Sequence, residues 1–591
     1  MKTPTLQFPP STPPYTCGAD RNEPTKPRIL FSSVFGPFAR NDEFGSREIN
    51  PMELYHNQVT RAQGPFSLRM FHRSWGLMMI RENVSAPNSL LDFPTRERFI
   101  AELKSELYNI VAISAIPPNY LKVREMCRLV REIQPSAIII VGGHISGLPN
   151  LKERINADHV VRVEGVSWFR EFLGEDVTAP IRHPRIVSGF GTRAMGMDLP
   201  DRSGSTAATV IPSVGCPMGC NFCATSAMFG GKGKFLNFYE SGDELFDVMC
   251  EIERDMKVQT FFVMDENFLL HKKRALRLLE RIKRADKSWS LYVFSSANVL
   301  RSYTIEQLVA LGVSWVWMGL EGNQSKYQKL AGTDTRELVS ALQANGISIL
   351  GSSIIGLEEH TPENLPDAIE HAVAHDTEFH QFMLYTPVAG TPLFNEHRTN
   401  GTLLDPDCEE PADIHGQLRF AHKHPHIPSG METEFLLQAF RRDFEVNGPS
   451  VIRMVRATLR GWNRHSNHPV SRVRRRFRRE GAQLKFQYPA VLWAAREWYR
   501  DNPVMFRKMD AILNELIAKF GLVARIGASV GGRVVLRKLR AEAANPPSPT
   551  PEPSTFYERS STPAPELTVK RQLPKIQLSV KRPKACTPVG V

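Results

Sequence analysis

Residues 211–223 read Ile-Pro-Ser-Val-Gly-Cys-Pro-Met-Gly-Cys-Asn-Phe-Cys and carry Cys216, Cys220 and Cys223 at the spacing CxxxCxxC. The stretch follows the predicted strand 208–213, so the three thiols lie on one loop after a strand. Three thiolates on a tight loop can bind three corners of a cubane iron–sulfur cluster and leave one iron open for chemistry. Gly215 and Gly219 let the backbone wrap closely around such a cluster. Zinc is the alternative, but it usually requires a fourth nearby ligand and paired CxxC units.

Outward from this loop, residues 200–430 alternate between apolar strand patterns and amphipathic helices. The predicted strands are 208–213, 260–264, 291–295, 315–319, 347–355 and 381–385. Ser241-Gly-Asp-Glu244 is a capping box that predicts the start of one of the intervening helices. Six strands with crossover helices predict a partial β/α barrel, which places its chemistry at the carboxyl ends of the strands.

Residues 27–190 show a second alternation of the same kind. Near-continuous apolar runs at 28–33, 109–115 and 137–141, with a weaker run at 159–163, predict strands that are buried on both faces of a parallel sheet. Helical patterns over 95–107 and 119–133 separate them. The fold class is therefore α/β, with a doubly wound, Rossmann-like N-terminal domain that binds ligands at its carboxyl edge.

The remaining segments are predicted from composition. Residues 1–26 and 543–591 are rich in proline and predict a flexible arm and a disordered tail, whereas 431–542 predict a helical appendage. The chain has 591 residues and a formal net charge of +12, to which the arginine-rich stretch 472–479 contributes. That stretch predicts a solvated helix face, with binding of a nucleic acid or of another acidic partner as the alternative, and a nucleic-acid partner is not favoured. Residues 1–14 have no apolar signal run, and no apolar stretch is long enough for a transmembrane helix, so we expect a cytoplasmic protein.

Residues 205–400 resemble the radical S-adenosylmethionine (radical SAM) superfamily, because CxxxCxxC after a first strand is a specific mark of that family. The resemblance implies a [4Fe-4S] cluster whose open iron binds S-adenosylmethionine. Reductive cleavage then gives a 5′-deoxyadenosyl radical that abstracts hydrogen, and an electron donor such as flavodoxin or ferredoxin is needed. Further family positions match single residues, which the resemblance implies are cofactor-binding: Phe222, Glu266, Ser295, Glu321 and Gly356. Asp265 or Asn267 could instead cap the backbone beside Glu266, and Tyr385 is a candidate catalytic residue at the end of the sixth strand.

The N-terminal domain resembles the cobalamin-binding domain of B12-dependent radical SAM enzymes. Ser114 follows one strand, Gly142 and Gly143 follow the next, and Gly165 follows a further one, and the resemblance implies that these positions let cobalamin approach the backbone. The loop after the first strand, residues 34–50, contains no histidine. The histidine that binds cobalt in many B12 proteins is therefore missing, and His144 is the nearest substitute, with a contact to the nucleotide tail favoured over cobalt binding.

The combined resemblance predicts a cobalamin-dependent radical SAM methyltransferase that acts on an unactivated carbon of a small-molecule or lipid substrate. Two alternatives remain open. A non-methylating rearrangement or cyclisation would keep the cluster and change the product, and a cobalamin or iron–sulfur sensor would not cleave S-adenosylmethionine at all.

Overall fold

The computed structural model describes residues 26–36, 60, 62–68, 72–189, 193–199, 207–320, 334–409, 411–546 and 556–559. These residues form two separate sheets of mainly parallel strands with helices between the strands, followed by a region of helices. The α/β class and the order of the two α/β units are therefore as predicted. Glu321 and the arm 1–25 lie outside the described residues.

The first sheet has five parallel strands in the order β2-β1-β3-β4-β5, and a short sixth strand pairs antiparallel with β2 at its edge. Its strands are β1 (Ile29–Ser33), β2 (Asn88–Asp92), β3 (Ile110–Ser114), β4 (Ile138–Gly142) and β5 (His159–Val160). Its helices are α1 (Trp75–Glu82), α2 (Arg96–Ser105), α3 (Tyr120–Ile133), α4 (Leu151–Ile155) and α5 (Gly165–Phe172). The chain reverses its direction of winding between β1 and β3, and such a switch point leaves a crevice at the carboxyl ends of the strands. Strand β2 was not predicted, because its apolar centre is short and both of its ends, Asn88 and Asp92, are polar.

The second sheet holds six parallel strands that follow one another in chain order, β9-β12-β13-β14-β15-β16. All six were predicted from the sequence. Short strands β6 (Ile186–Val187), β7 (Arg193–Ala194) and β8 (Met197–Asp198) precede them, and β6 pairs antiparallel with β9. The strands are β9 (Ala208–Val210), β12 (Thr260–Val263), β13 (Ser290–Phe294), β14 (Val313–Gly319), β15 (Ser348–Ile355) and β16 (Phe379–Leu384). Within the described residues β16 has no partner on its outer side, so the barrel is open.

The helices of this unit lie between its strands, except the last one, which follows β16. They are α6 (Ala224–Met228), α7 (Gly242–Met256), α8 (Lys272–Arg284), α9 (Ala297–Leu300), α10 (Ile305–Leu311), α11 (Thr335–Ala344), α12 (Leu365–Val373) and α13 (Pro392–Thr399). Helix α7 begins with the predicted capping box, in which the Ser241 side chain accepts the N–H of Glu244. A small antiparallel hairpin, β10 (Ser213–Val214) with β11 (Leu236–Asn237), stands beside the carboxyl end of β9.

The helical region packs partly around an apolar core that it shares with Phe66 and Met195, and partly against the second sheet, on which its first and third helices bury their apolar residues. Its members are α14 (Met431–Asn447), α15 (Ser450–His465), α16 (Ser471–Glu480), α17 (Gln487–Trp498), α18 (Pro503–Ile526) and α19 (Gly532–Ala544). A π-helical turn, Gly527–Gly531, joins the last two. No helix among the described residues is long and apolar enough to span a membrane.

Helix α16 contains the arginine-rich stretch, and several of its arginines donate hydrogen bonds to backbone carbonyls of the second unit. Arg472 and Arg476 donate to the carbonyls of Ala310 and Val309 at 2.6 and 2.9 Å, at the carboxyl end of α10. Carbonyls at a helix end have no partner within the helix and carry partial negative charge, which guanidinium groups satisfy. Arg479 donates to the Ser288 carbonyl at 2.8 Å. The expectation of a solvated helix face is therefore wrong: α16 fastens the helical region to the second sheet.

The expectation of disorder across 543–591 is wrong for one short piece. Strand β17 (Phe556–Arg559) pairs antiparallel with β2 at the edge of the first sheet. Glu558 and Arg559 form ion pairs with Arg81 and Glu106 at 2.7 and 2.5 Å. The sequence FYER is rich in β-forming aromatic residues, but no local pattern could reveal that its partner lies more than 450 residues away.

Candidate active site

The three cysteines lie on the loop between β10 and α6, at the carboxyl end of β9. Gly215 and Gly219 have φ values of 87° and 66°, a backbone region that favours glycine. A Cβ atom at Gly219 would lie 2.5 Å from the Cβ of Lys232, and one at Gly215 would lie 2.8 Å from the Cβ of Phe229. The loop can wrap this tightly only because both positions are glycine.

The chain around this loop holds the thiols in place. The Ser226 hydroxyl donates to the Cys216 carbonyl at 2.8 Å, and the Ser226 N–H donates to the Cys223 sulfur at 3.4 Å. The three cysteines are partly buried and form no disulfide. Burial raises the pKa of the Cys216 thiol to about 11, with smaller contributions from Cys223, Cys220 and Glu266. A thiol that resists ionisation in the protein alone suits a site where bound iron supplies the positive charge.

The donor set fits a cluster better than a single ion. Among the residues that the structure describes, no three His, Cys, Asp or Glu side chains lie close enough together to bind a single metal ion. Cysteines that hold a cubane each bind a different iron, so their sulfurs are not required to meet at one point. Three thiols on one glycine-shaped loop therefore fit a [4Fe-4S] cluster with one open iron.

Glu266, which follows β12, has a carboxylate in a largely buried position. Burial, followed by the charge of Asp265, raises its pKa to about 7, and the nearby backbone of Glu266 and Gly215 lowers it less. Its Oε2 atom is buried without a hydrogen-bond partner among the described residues. A buried acceptor without a donor is costly, and a cationic amine would satisfy it. This orphaned oxygen beside the cysteine loop fits the amino group of S-adenosylmethionine.

The two neighbours of Glu266 have structural partners. Asp265 forms a buried ion pair with Arg274 of α8, and its carboxylate also accepts the Ser213 hydroxyl at 2.5 Å and the N–H of Asn267 at 3.2 Å. The Asn267 side chain accepts the Ser295 hydroxyl at 3.2 Å. Asp265 and Asn267 therefore brace the strand ends, which is the alternative that the sequence left open, and the predicted ligand Ser295 is buried against Asn267.

Tyr385 lies beneath the cysteine loop rather than at an open surface. Its side chain is 1% exposed, and its hydroxyl group accepts a hydrogen bond from the Asn221 amide at 3.1 Å. The rings of Tyr385 and Phe222 meet edge to face with centroids 5.9 Å apart. The Asn221 carbonyl also accepts the N–H of Leu393 in α13 at 3.0 Å. These contacts let Tyr385 support the cysteine loop, and its catalytic role stays a prediction.

Gly356 follows β15 and has φ 79°. A Cβ atom there would lie 2.3 Å from the ring of Phe420. The need for glycine at this position is thus explained within the protein, and its contact with a cofactor stays a prediction.

In the first domain, the two glycines after β4 differ in what surrounds them. Gly143 has φ 85°, and a Cβ there would lie 2.5 Å from the Ala115 carbonyl oxygen and 3.0 Å from the Ser114 hydroxyl. At Gly142 the nearest atom to a Cβ would be the Val161 carbonyl oxygen at 3.8 Å. Gly143 shapes the turn, whereas Gly142 keeps the space beside the strand end clear. A cofactor that approaches the backbone fits this open side, at the edge where Ser114 and Gly142 pair.

Gly165 and His144 have protein partners. A Cβ at Gly165 would lie 2.4 Å from Ile80, so this glycine allows α5 to pack on α1 and does not mark an open surface. The Nε2 atom of His144 lies 3.2 Å from the Thr225 hydroxyl in α6. Burial lowers the pKa of His144, which favours the neutral ring.

The contact between His144 and Thr225 joins the two candidate cofactor sites. His144 follows Gly143 in the first domain, and Thr225 lies two residues after Cys223 in the second. A second contact lies nearby, where the Arg162 guanidinium donates to the Gly390 carbonyl at 2.6 Å. The carboxyl edge of the first sheet therefore faces the cysteine loop of the second.

Several of these residues were not predicted from the sequence. Asn221 stands inside the cysteine motif, and its position there was the only available signal. Ser226, Thr225 and Arg274 lie on helices whose periodicity predicts packing, and their polar contacts appear only when distant segments meet.

Two family models match the chain. Residues 77–173 match the B12 binding domain, and residues 210–372 match the radical SAM superfamily. The first match contains β4 with Gly142 and Gly143, and the second contains the cysteine loop and Glu266.

Relatives with named functions also match part of the chain. An uncharacterized methyltransferase of Pyrococcus horikoshii is 23% identical over 53% of this chain and 74% of its own length. A bacteriochlorophyllide d C-12(1)-methyltransferase of Chlorobaculum tepidum is 27% identical over 32% of this chain and 42% of its own. An anaerobic magnesium-protoporphyrin IX monomethyl ester cyclase of Rubrivivax gelatinosus is 24% identical over 52% of this chain and 61% of its own length. The chain therefore contains a B12 binding domain followed by a radical SAM domain, and these two domains imply cobalamin, a [4Fe-4S] cluster and S-adenosylmethionine as its cofactors.

Proposed function

We propose that the protein is a cobalamin-dependent methyltransferase that acts on a carbon atom of an organic substrate. The observation that carries the proposal is the contact between the two candidate cofactor edges, at His144 and Thr225. A methyl group held at one edge and a radical generated at the other can act on the same substrate atom only if the edges face each other.

Different residues on the second edge would bind the cluster and S-adenosylmethionine. Cys216, Cys220 and Cys223 would hold the cluster, and Glu266 would accept the amino group of S-adenosylmethionine through its unpartnered Oε2. Asp265, clamped by Arg274 and Ser213, fixes the strand end that carries Glu266. Asn221 and Tyr385 support the loop from beneath, so the orientation of the three thiols is set before any cofactor binds.

The residues on the first edge leave room for cobalamin. Gly142 keeps the strand end open, while Gly143 forms the turn that brings His144 to the interface. When bound, cobalamin supplies a methyl group that can be passed to a carbon atom. The neutral His144 ring has its Nε2 near Thr225, so this nitrogen serves the interface between the domains.

The second candidate function is a cyclisation without net methylation. It is favoured by the relative named as an anaerobic cyclase, which aligns over 61% of its length. Both functions would use the same two edges and would draw electrons from a small donor such as flavodoxin or ferredoxin. We further propose that the reaction takes place in the cytoplasm, as the sequence leads us to expect.

Loss of the gene in its native host tests the proposal. Extracts of the deletion strain and the parent strain are compared by mass spectrometry for a pair of compounds that differ by one methylene unit. We expect the lighter compound to accumulate in the deletion strain and the heavier one to return on complementation with the wild-type gene but not with the Cys220→Ala variant. A missing compound whose precursor has the same number of carbon atoms would instead support the cyclisation.

A further inference from the structure

The last helical segment, residues 522–544, packs on the protein through small residues and exposes large aliphatic ones. Gly521 has a non-helical backbone, with φ 59°, so the segment 522–544 leaves α18 at a kink and continues through the π turn into α19. The side of this segment that faces the protein holds small residues. A Cβ at Gly527 would lie 2.4 Å from the Phe486 carbonyl oxygen, and one at Gly532 would lie 2.5 Å from the ring of Trp493. The backbone of this segment therefore lies in close contact with α17 and the residue before it.

The large aliphatic side chains of the segment are turned the other way. Five of them are strongly exposed: Leu522 (71%), Val523 (51%), Ile526 (44%), Val530 (60%) and Val534 (55%). Four recur at every fourth position, and the wider π turn between Ile526 and Val530 offsets the drift that this spacing has on a regular helix. They form one continuous surface, the aliphatic stripe. An apolar surface of this kind marks a contact with something outside the chain.

Cations flank the aliphatic stripe. Between Leu516 and Ala541 the sequence has six basic residues and no acidic one. The six are Lys519, Arg525, Arg533, Arg537, Lys538 and Arg540. They lie on the surface, and within the part of the chain that the structure describes none of them forms an ion pair or donates a side-chain hydrogen bond. Arg533 and Arg537 stand three residues after Val530 and Val534, so they border the stripe on the same helix face.

We infer that the aliphatic stripe and its cations dock on an anionic membrane surface, with the helix lying in the plane of the interface. A helix with aliphatic residues on its outer face and lysine and arginine beside them has the composition of an interfacial helix: the apolar side chains enter the boundary of the acyl chains, and the cations meet phosphate groups. A second copy of the chain fits less well, because it would bring the same six unpaired cations against each other. The inference concerns binding alone and does not depend on the reaction.

The test is flotation of the full-length protein with vesicles of phosphatidylcholine, either alone or mixed with phosphatidylglycerol. Wild-type protein should float with the mixed vesicles and much less with the neutral ones, and raised salt should release it. Each cation that is removed should weaken binding about fivefold, since one Lys or Arg near an anionic surface contributes about a factor of five. The double variant Arg533→Gln/Arg537→Gln should therefore bind about 25-fold more weakly. The variant Ile526→Ser/Val530→Ser should bind at least tenfold more weakly, because it removes several buried methylene equivalents.

Matched control variants distinguish binding through this surface from non-specific binding to vesicles. Leu107→Ser removes a leucine that is 61% exposed in the first domain, and Lys273→Gln removes an exposed cation on α8. Both should bind like wild type, and all variants should keep the wild-type melting temperature because the changed side chains are exposed. Failure of the wild type to float with anionic vesicles would overturn the inference. So would equal binding by the stripe variants, or a lipid-free oligomer that these variants abolish, which would assign the surface to a second copy.

Discussion

Replacing Gly142 by leucine should block cobalamin binding without damaging the fold. The strand end at Gly142 is open, since a Cβ there would have its nearest neighbour, the Val161 carbonyl oxygen, at 3.8 Å. We therefore expect a change of less than about 1 kcal/mol in the free energy of unfolding. A cofactor that approaches this backbone would meet a new side chain, and overpacking of this kind costs about 1–3 kcal/mol, or roughly a 5- to 150-fold loss of affinity.

Two other glycines of the first domain serve as controls. Gly76 lies on the exposed face of α1 with nothing within 4 Å of a Cβ, so Gly76→Leu should bind cobalamin like wild type. Gly143→Ala, unlike Gly142→Leu, should destabilise the fold itself. Its Cβ would lie 2.5 Å from the Ala115 carbonyl oxygen, in a backbone with φ 85°. It should lower the melting temperature of the protein even without cofactor.

The assay is cobalamin retained after gel filtration, read by visible absorption, together with the melting temperature of each variant. Wild-type cobalamin affinity in a well-folded Gly142→Leu protein would refute the reasoning. If the leucine lowers the melting temperature, Gly142→Ala provides the smaller probe and should show a reduced affinity in the same direction.

Four further outcomes are expected. Changing any one of the cluster cysteines to alanine should abolish bound iron and sulfide after anaerobic reconstitution, whereas Cys250→Ala should retain both; a full cluster in a single variant would contradict the assignment. Glu266→Gln should weaken S-adenosylmethionine binding about 10- to 100-fold at unchanged iron content, because a charged hydrogen bond contributes about 1.5–3 kcal/mol, and unchanged binding would remove Glu266 from the site. Tyr385→Phe should keep the cluster and lower its thermal stability slightly, since the bond to Asn221 is lost; complete loss of turnover with an intact cluster would support a catalytic role. Truncation before Phe556 should lower the free energy of unfolding of the first domain by about 1–2 kcal/mol relative to truncation after Arg559, measured by urea titration, because partly exposed ion pairs contribute up to about 1 kcal/mol each; equal stabilities would mean that β17 contributes nothing.

The parts of the fold that could be predicted are those with local signals. The strands of the second sheet are apolar runs separated by amphipathic helices, and the cysteine loop is a contiguous motif, so both could be read from short windows. The parts that could not be predicted depend on partners far away in the chain. Strand β17 pairs with β2, and Arg472 binds a carbonyl in α10, 162 positions before it.

The same distinction applies within the site. Glu266 could be proposed from the family resemblance at its place after a strand, but the burial of its Oε2 atom without a hydrogen-bond partner among the described residues appears only in the folded structure. The place of Tyr385 at a strand end predicts a catalytic role, because strand ends usually carry chemistry. Its burial beneath the loop follows from the packing of α13, which approaches the loop through Leu393 and Asn221. Position along a strand predicts which edge a residue occupies, and packing decides whether it faces the substrate.

The most direct test of the account is the fate of S-adenosylmethionine in the reconstituted protein. Protein with a complete cluster is incubated anaerobically with S-adenosylmethionine and a reductant, with and without cobalamin, and the nucleoside products are quantified. Methyl transfer consumes one S-adenosylmethionine as methyl donor and a second as radical source, so the account predicts both S-adenosylhomocysteine and 5′-deoxyadenosine, with the former dependent on cobalamin and reduced in Gly142→Leu. Formation of 5′-deoxyadenosine without any S-adenosylhomocysteine would contradict a methyltransferase, and the absence of both products would contradict an enzyme of this class.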